Sequence, residues 1–335
     1  MNIDQWINQI IESPERQAIP IMTHPGIELI NEKVINAVND GDIHYKAIQA
    51  LEHYFPASAA CTVIMDLTVE AEAFGADIQF SESEVPNVVG MLIDNYDDIQ
   101  KLQIPSIASA RIPQYLKANK LSSSHIKKPV LGGCIGPFSL AGRLMGMTEA
   151  FMAIYTAPES ISLLLNKCTQ FITAYCLAIK KNGSAGVIIA EPAAGLLSNE
   201  DCLTYSSKYV RRIVDEIQDE TFLVVLHNCG NMGQCTQAMV ATGAKGYHFG
   251  NKIDMVEAIK GCPSDVLVMG NLDPVGVLQQ STEREVYQET FALLQKLKEY
   301  PNFVLSTGCD VPPDVPIRNV EAFYAAIKDY NQNRK

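Results

Sequence analysis

Three side chains stand out for the chemistry they could do together. His227-Asn228-Cys229 follows an apolar run, Phe222 to Leu226. Cys309 follows a second run, Phe303 to Leu305, in Ser306-Thr307-Gly308-Cys309-Asp310-Val311-Pro312-Pro313. Both runs read as buried strands. Residues two apart on an extended segment project to the same side, so His227 and Cys229 can grip one ion together. One imidazole and two thiolates form a soft set that selects zinc. Three protein ligands leave a fourth position open, as a catalytic zinc needs and a structural zinc avoids. The plainer reading is that a free cysteine is commonly a small buried hydrophobe. Of the nine cysteines, Cys61, Cys134, Cys168, Cys176, Cys202 and Cys262 sit among apolar residues and read as core, and Cys235 reads as helix packing.

The elements that must bring these residues together alternate between strand-like and helix-like. Eight strands are expected: Ile19–Thr23, Ala60–Met65, Pro129–Ile135, Gly186–Ala190, Phe222–Leu226, Gly246–Phe249, Val266–Met269 and Phe303–Leu305. Helical stretches lie between most of them. Pro158 opens one that stops at Gly183, in keeping with proline at helix starts and glycine at exits. Ser198 and Asn199 can cap the next, and Pro316 can start the last. The pattern predicts a parallel sheet closed as a (β/α)8 TIM barrel, with residues 1–335 forming a single domain.

One joint departs from that pattern. The stretch from Asp66 to Lys128 is far longer than the ordinary βα connection of about 2–6 residues. It is expected to hold a crossover helix at Val69–Phe74 and then an excursion across the barrel mouth. Ile99, Leu102, Ile104, Ile107 and Leu116 make it too apolar to be disordered.

In such a barrel the active site lies at the carboxyl ends of the strands. His24, Asp66, Glu191, Asn271 and Asp273 fall there beside the His/Cys set. Each has a plainer alternative. His24 can satisfy a loop carbonyl, and Asp66 can cap the following helix. Glu191 can be a fourth ligand, a base for a thiol proton, or a carboxylate held by backbone amides. Asn271 and Asp273 can simply shape a turn, and Asp273 leans that way. His248 reads as a buried neutral histidine, and His44, His53 and His125 read as surface.

Composition narrows the partners. The formal charge is -12, with no basic stripe to neutralise phosphates, so a nucleic-acid binder is not expected. No apolar run reaches the roughly 18 residues of a membrane span, and Met1 to Gln9 does not read as a secretory signal. Scattered cysteines without a tight framework suit a reducing cytoplasm.

The chain resembles the uroporphyrinogen decarboxylase superfamily over nearly its whole length, and within it the zinc-dependent methylcobamide methyltransferases. The resemblance rests on six motifs. They are Asp66-Leu67-Thr68-Val69-Glu70 through Gly75, Gly136-Pro137-Phe138-Ser139 through Gly142, Glu191-Pro192-Ala193-Ala194, His227-Asn228-Cys229-Gly230-Asn231, Gly270-Asn271-Leu272-Asp273-Pro274, and Gly308-Cys309-Asp310-Val311-Pro312-Pro313. The fifth runs through the whole superfamily; His-x-Cys with the later Gly-Cys is the specific part.

The resemblance implies the barrel fold and a Zn2+ held by His227, Cys229 and Cys309. It also implies transfer of a methyl group from a methylcorrinoid, carried by a corrinoid protein, to a small thiol such as coenzyme M. From their places at the strand ends, Glu191 is expected to be catalytic and His24, Asp66 and Asn271 to bind substrate. Homocysteine or a pterin is an alternative acceptor. The rival is uroporphyrinogen decarboxylase itself. Asp66 stands where the decarboxylases place a central aspartate. Their arginine-rich stretch after the first strand is replaced here by Met22-Thr23-His24-Pro25-Gly26, and their glycine-flanked histidine by Cys309.

Overall fold

The computed structural model describes residues 1–333, so the last two positions of the expected 1–335 unit lie outside the described residues. Seven parallel strands form one curled sheet. They are β1 (Cys61–Thr62), β4 (Val130–Ile135), β5 (Gly186–Ala190), β6 (Leu223–Asn228), β7 (Gly246–Phe249), β8 (Leu267–Leu272) and β9 (Phe303–Thr307), hydrogen-bonded in that order. A separate antiparallel hairpin pairs β2 (Asp77–Gln79) with β3 (Asn87–Val89).

Side chains alternate along the strands, as the pleat requires. Leu131, Ile188, Leu223, Val225, Leu267, Met269 and Val304 pack on one another, with Ile19 and Ile21, to fill the inside of the curl. Helix Ile3–Glu12 lays Ile3, Ile7 and Ile10 against that set. Their neighbours in sequence, among them Val187, Ile189, Val224, Leu226 and Val268, face outward into a larger core shared with the helices. Both faces are buried, which explains why the strands read as continuous apolar runs.

The first expected strand is corrected. Ile19–Thr23 is not a strand. Ala18 makes isolated parallel bridges to Ser58 and to Leu305, at the two edges of the sheet. Pro20 has no N–H to continue a ladder; instead, the Thr62 hydroxyl accepts from the Met22 amide (3.2 Å) and donates to the Pro20 carbonyl (3.3 Å).

The long connection between β1 and β4 is structured. It carries helix Val69–Phe74, the β2–β3 hairpin and helices Tyr96–Lys101 and Ile112–His125. Ile99 is buried, whereas Ile104 is 39% exposed and does not pack as expected. Lys167 closes the end of helix Tyr96–Lys101 by donating to the carbonyls of Ile99, Gln100 and Leu102, a charge-favoured position at a helix C-terminus.

His44 is also corrected: it is buried, not at the surface. Its Nε2 accepts from the Ile64 amide at 3.1 Å, and burial holds its pKa down at about 3.

Candidate metal centre

Strand β6 runs past its apolar stretch, so His227 continues the inward-facing series of Leu223 and Val225 and is itself buried. Cys229 sits in the turn that follows. Asn228 Oδ1 accepts from the amides of Gly230 and Asn231, both at 3.0 Å, which fixes the backbone just after the thiol. Cys309 occupies the equivalent turn after β9. The two turns meet a third one closely. A Cβ on Gly250 would lie 2.7 Å from the Cys229 Cα, and one on Gly308 would lie 2.6 Å from the Asn251 amide nitrogen. Only glycine permits these approaches.

The outcome is a compact donor set. One ring nitrogen of His227 and the two sulfurs lie within 4.8 Å of one another, and His227 Nε2 is 3.7 Å from Cys309 Sγ. A tetrahedral ion with Zn–N near 2.0–2.1 Å and Zn–S near 2.3 Å separates its ligands by roughly 3.5–3.8 Å. The residues therefore fit zinc in type and spacing. The two thiols share a hydrogen bond. It holds Cys229 down to about 7, against burial, and pushes Cys309 up. One sulfur is thus readily anionic, and a cation is needed to make both so.

Behind the donors runs a buried chain of polar groups. His227 Nδ1 is 2.7 Å from His248 Nδ1. His248 Nε2 is 2.8 Å from Ser306 Oγ, and Ser306 donates to the Ile19 carbonyl at 2.8 Å. His248 lies next to His227 in register across β6 and β7.

Glu191 is not part of the three-residue donor set. It follows β5, where its amide donates to the His227 carbonyl at 2.8 Å. Its oxygens accept from the Phe138 amide (2.8 Å) and from the Ser139 amide and hydroxyl (2.9 and 2.7 Å), at the start of helix Pro137–Met145. Burial pushes its carboxyl up to about 7 despite these donors.

Asp66 is fully engaged: Oδ1 accepts from the Thr68 amide and hydroxyl, and Oδ2 from Arg111 and the Tyr115 hydroxyl. Asn271, on β8, donates to the carbonyls of Gly250 (2.8 Å) and Ile253 (2.9 Å). Asp273 caps the helical turn beginning at Pro274.

His24 is buried at the start of helix His24–Leu29. Its Nδ1 contacts the Val311 carbonyl at 2.9 Å and lies 3.8 Å from Asp310 Oδ1, while its Nε2 has no hydrogen-bond partner among the described residues. Burial would lower its pKa, but Asp310 overrides that and the net shift is upward.

Three residues on this rim were missed in the sequence. Arg111 and Tyr115 come from the long connection and bind Asp66. Arg143, on helix Pro137–Met145, is half-buried with no hydrogen-bond or ion-pair partner among the described residues. Burial lowers its pKa, and Asp66 acts on it in the opposite sense. Nothing local in the sequence marks Arg111 or Tyr115. Arg143 carried a weak signal, since it directly follows the Gly136–Gly142 motif.

Comparison with known proteins places the chain within a family and a fold. The family model for uroporphyrinogen decarboxylase (URO-D) matches residues 13–330. The methylcobamide:CoM methyltransferase MtbA of Methanosarcina acetivorans is 31% identical over 276 residues, covering 81% of this chain and 80% of the relative. A uroporphyrinogen decarboxylase of Legionella pneumophila is 28% identical over 291 residues, covering 84% and 81%. Among solved structures, a methyltransferase from Methanosarcina mazei superposes with a TM-score of 0.87 at 20% identity, covering 98% of this chain and 99% of that one. With the model spanning nearly its whole length, the chain belongs to the uroporphyrinogen decarboxylase family.

Proposed function

We propose that this protein is a zinc-dependent methyltransferase that moves a methyl group from a methylcorrinoid, presented by a corrinoid carrier protein, to a small thiol such as coenzyme M. The observation that carries this reading is the donor set: one imidazole and two thiols within 4.8 Å, at the ends of strands, three protein ligands where a catalytic zinc keeps its fourth position for substrate. Relatives at 31% identity that are methylcobamide:CoM methyltransferases support it. Zinc held by these residues would supply a Lewis acid that lowers the pKa of a substrate thiol.

The chain's own residues do the rest. His227, Cys229 and Cys309 fix where the acceptor sulfur sits. The two protein thiolates would offset the ion's charge and so leave that sulfur nucleophilic. In the transfer, the sulfur–carbon bond forms as the cobalt–carbon bond breaks, and the bonding pair stays on cobalt. Glu191, with a carboxyl poised near neutrality, is the group we assign to take the thiol proton. His24 offers its free Nε2 to the substrate. Asp66 and Asn271 contribute by holding the rim in shape. Arg143 favours an acceptor that carries an anionic group, because a half-buried guanidinium without a partner gains most from one.

We read the segment around Ala18 as the eighth stave, closing the curled sheet into a barrel, with the chain acting as one unit. Nine free cysteines suit a reducing cytoplasm.

The decarboxylase reading is disfavoured by the cations. Arg111 is already committed to Asp66 and Glu72, so it is not available for the many carboxylates of a tetrapyrrole. The test is metal analysis of the purified protein, followed by spectroscopic demethylation of methylcobalamin with coenzyme M, with and without chelator. Uroporphyrinogen decarboxylation is measured in parallel. A metal-free protein that decarboxylates uroporphyrinogen and leaves methylcobalamin intact overturns the proposal.

A further inference from the structure

The donor set leaves open how His227 comes to present a bare nitrogen to the sulfurs. A neutral imidazole carries one N–H, and either ring nitrogen can bear it. Only the form with the proton on Nδ1 leaves Nε2, the atom facing Cys309, with a lone pair for an ion. We infer that His248 and Ser306 form a positioning relay that locks His227 in this form and orients its ring. The inference rests on the zinc reading of the site.

The direction of every link follows from its last member. The Ile19 carbonyl can only accept, so Ser306 must donate its one hydroxyl proton there. Ser306 Oγ then has only lone pairs to offer His248, so His248 carries its proton on Nε2. His248 is fully buried and its side-chain partners, His227 and Ser306, carry no negative charge, so it is the neutral ring. Its Nδ1 is therefore an acceptor, and the 2.7 Å contact requires His227 to donate from Nδ1. Water cannot reverse the order, because His227, His248 and Ser306 are all buried. The edge-on packing of the two rings, at 70° with centroids 4.7 Å apart, fixes the plane of His227 as well as its proton.

The relay is also tied to the fold. Its members come from β6, β7 and β9, and its terminus from the segment whose Ala18 bridges the edges of the sheet. The tautomer of the histidine thus depends on the sheet being drawn together at its seam. His248 and Ser306 touch neither ion nor substrate; they act through His227.

The test uses the full-length protein, Zn2+ alone as the probe, and the variants S306A, S306T and H248F. Histidine-selective 15N NMR on the metal-free protein is expected to show His227 as the Nδ1–H form in the parent. A mixture of forms is expected in S306A. Chelator competition is expected to show zinc bound about 10–100-fold more weakly in S306A and H248F, the range for loss of an outer partner of a metal-binding histidine. S306T keeps the hydroxyl and is expected to bind as the parent does. S306A removes one buried oxygen and keeps both imidazoles, so it decides the matter even where H248F fails to fold. An Nε2–H form in the parent overturns the relay, as does parental affinity in S306A. A parent that binds no zinc overturns the metal reading instead, and the tautomer measurement then still judges the relay.

Discussion

Replacing Arg111 with methionine removes the cation from a deeply buried ion pair on the rim. The guanidinium is nearly inaccessible and bridges two carboxylates, Asp66 ahead of helix Val69–Phe74 and Glu72 within it. It also donates to Thr68 Oγ1 at 2.8 Å and lies 4.9 Å from the Phe80 ring centroid. The two carboxylates respond differently to its loss. Glu72 has 21% of its side chain exposed and can turn to water, whereas the Asp66 side chain has none exposed. The cost is therefore set by Asp66, left charged and dry with only Thr68 and Tyr115 as donors. Breaking a buried pair on one side costs about 3–5 kcal/mol, and those remaining donors favour the lower end. D66N removes the stranded charge and keeps the acceptor oxygen for Thr68. The R111M/D66N double variant is thus expected to recover about 2–3 kcal/mol relative to the sum of the single losses. Urea unfolding of the four proteins gives the cycle. A loss below about 1 kcal/mol for R111M, or strict additivity with D66N, refutes the reading that Asp66 depends on the Arg111 charge.

Other consequences are open to direct measurement. C229A and C309A should each weaken zinc by more than the roughly 10–100-fold typical of an outer-sphere partner; methyl transfer should be lost with unchanged circular dichroism, because both thiols sit in rim turns. R143A should lower kcat/KM for coenzyme M by about 10–100-fold, from the roughly 1.5–3 kcal/mol of a hydrogen bond to a charged group, and leave neutral 2-mercaptoethanol unaffected. Glu70 is fully buried with Oε2 unpartnered, and burial pushes its pKa from 4.5 to about 8. The folded state therefore holds this proton more tightly than the unfolded one. Its contribution to stability is complete below about pH 4.5 and is lost as pH rises to about 8, by up to roughly 4–5 kcal/mol at about 1.4 kcal/mol per unit. Urea unfolding across that range should show the decline, and E70Q should flatten it.

The clustering of the three donors was more legible in the sequence than the strand ends were. His227, Cys229 and Cys309 stood out because each follows an apolar run, and Gly186–Ala190 and Gly246–Phe249 hold as read. Strand ends were misplaced where polar residues stay in the ladder. Asn228, Asn271 and Thr307 are paired by register, which hydrophobicity does not report. The opposite error shortened Ala60–Met65 to Cys61–Thr62. The Ile64 amide is taken by His44 Nε2 and the Met65 amide by Asp310 Oδ2, so side chains from elsewhere in the chain replace strand partners. Such distant partners also explain why His44 looked like a surface residue and why Arg111 went unnoticed. Glu191 could be placed on the rim from its position after β5. Its attachment to the Phe138 and Ser139 amides could not, because it depends on where the helix after β4 begins.

The turn at Gly250 and Asn251 offers no ligand, yet both cysteine-bearing turns rest on it. It acts as a calliper: its thickness sets the gap between two sulfurs supplied by strands that are not neighbours. A metal site of this build can be retuned without touching a donor. Any residue bulkier than glycine at 250 or 308 would wedge the thiols apart, and the larger bite would favour a bigger, softer ion over zinc.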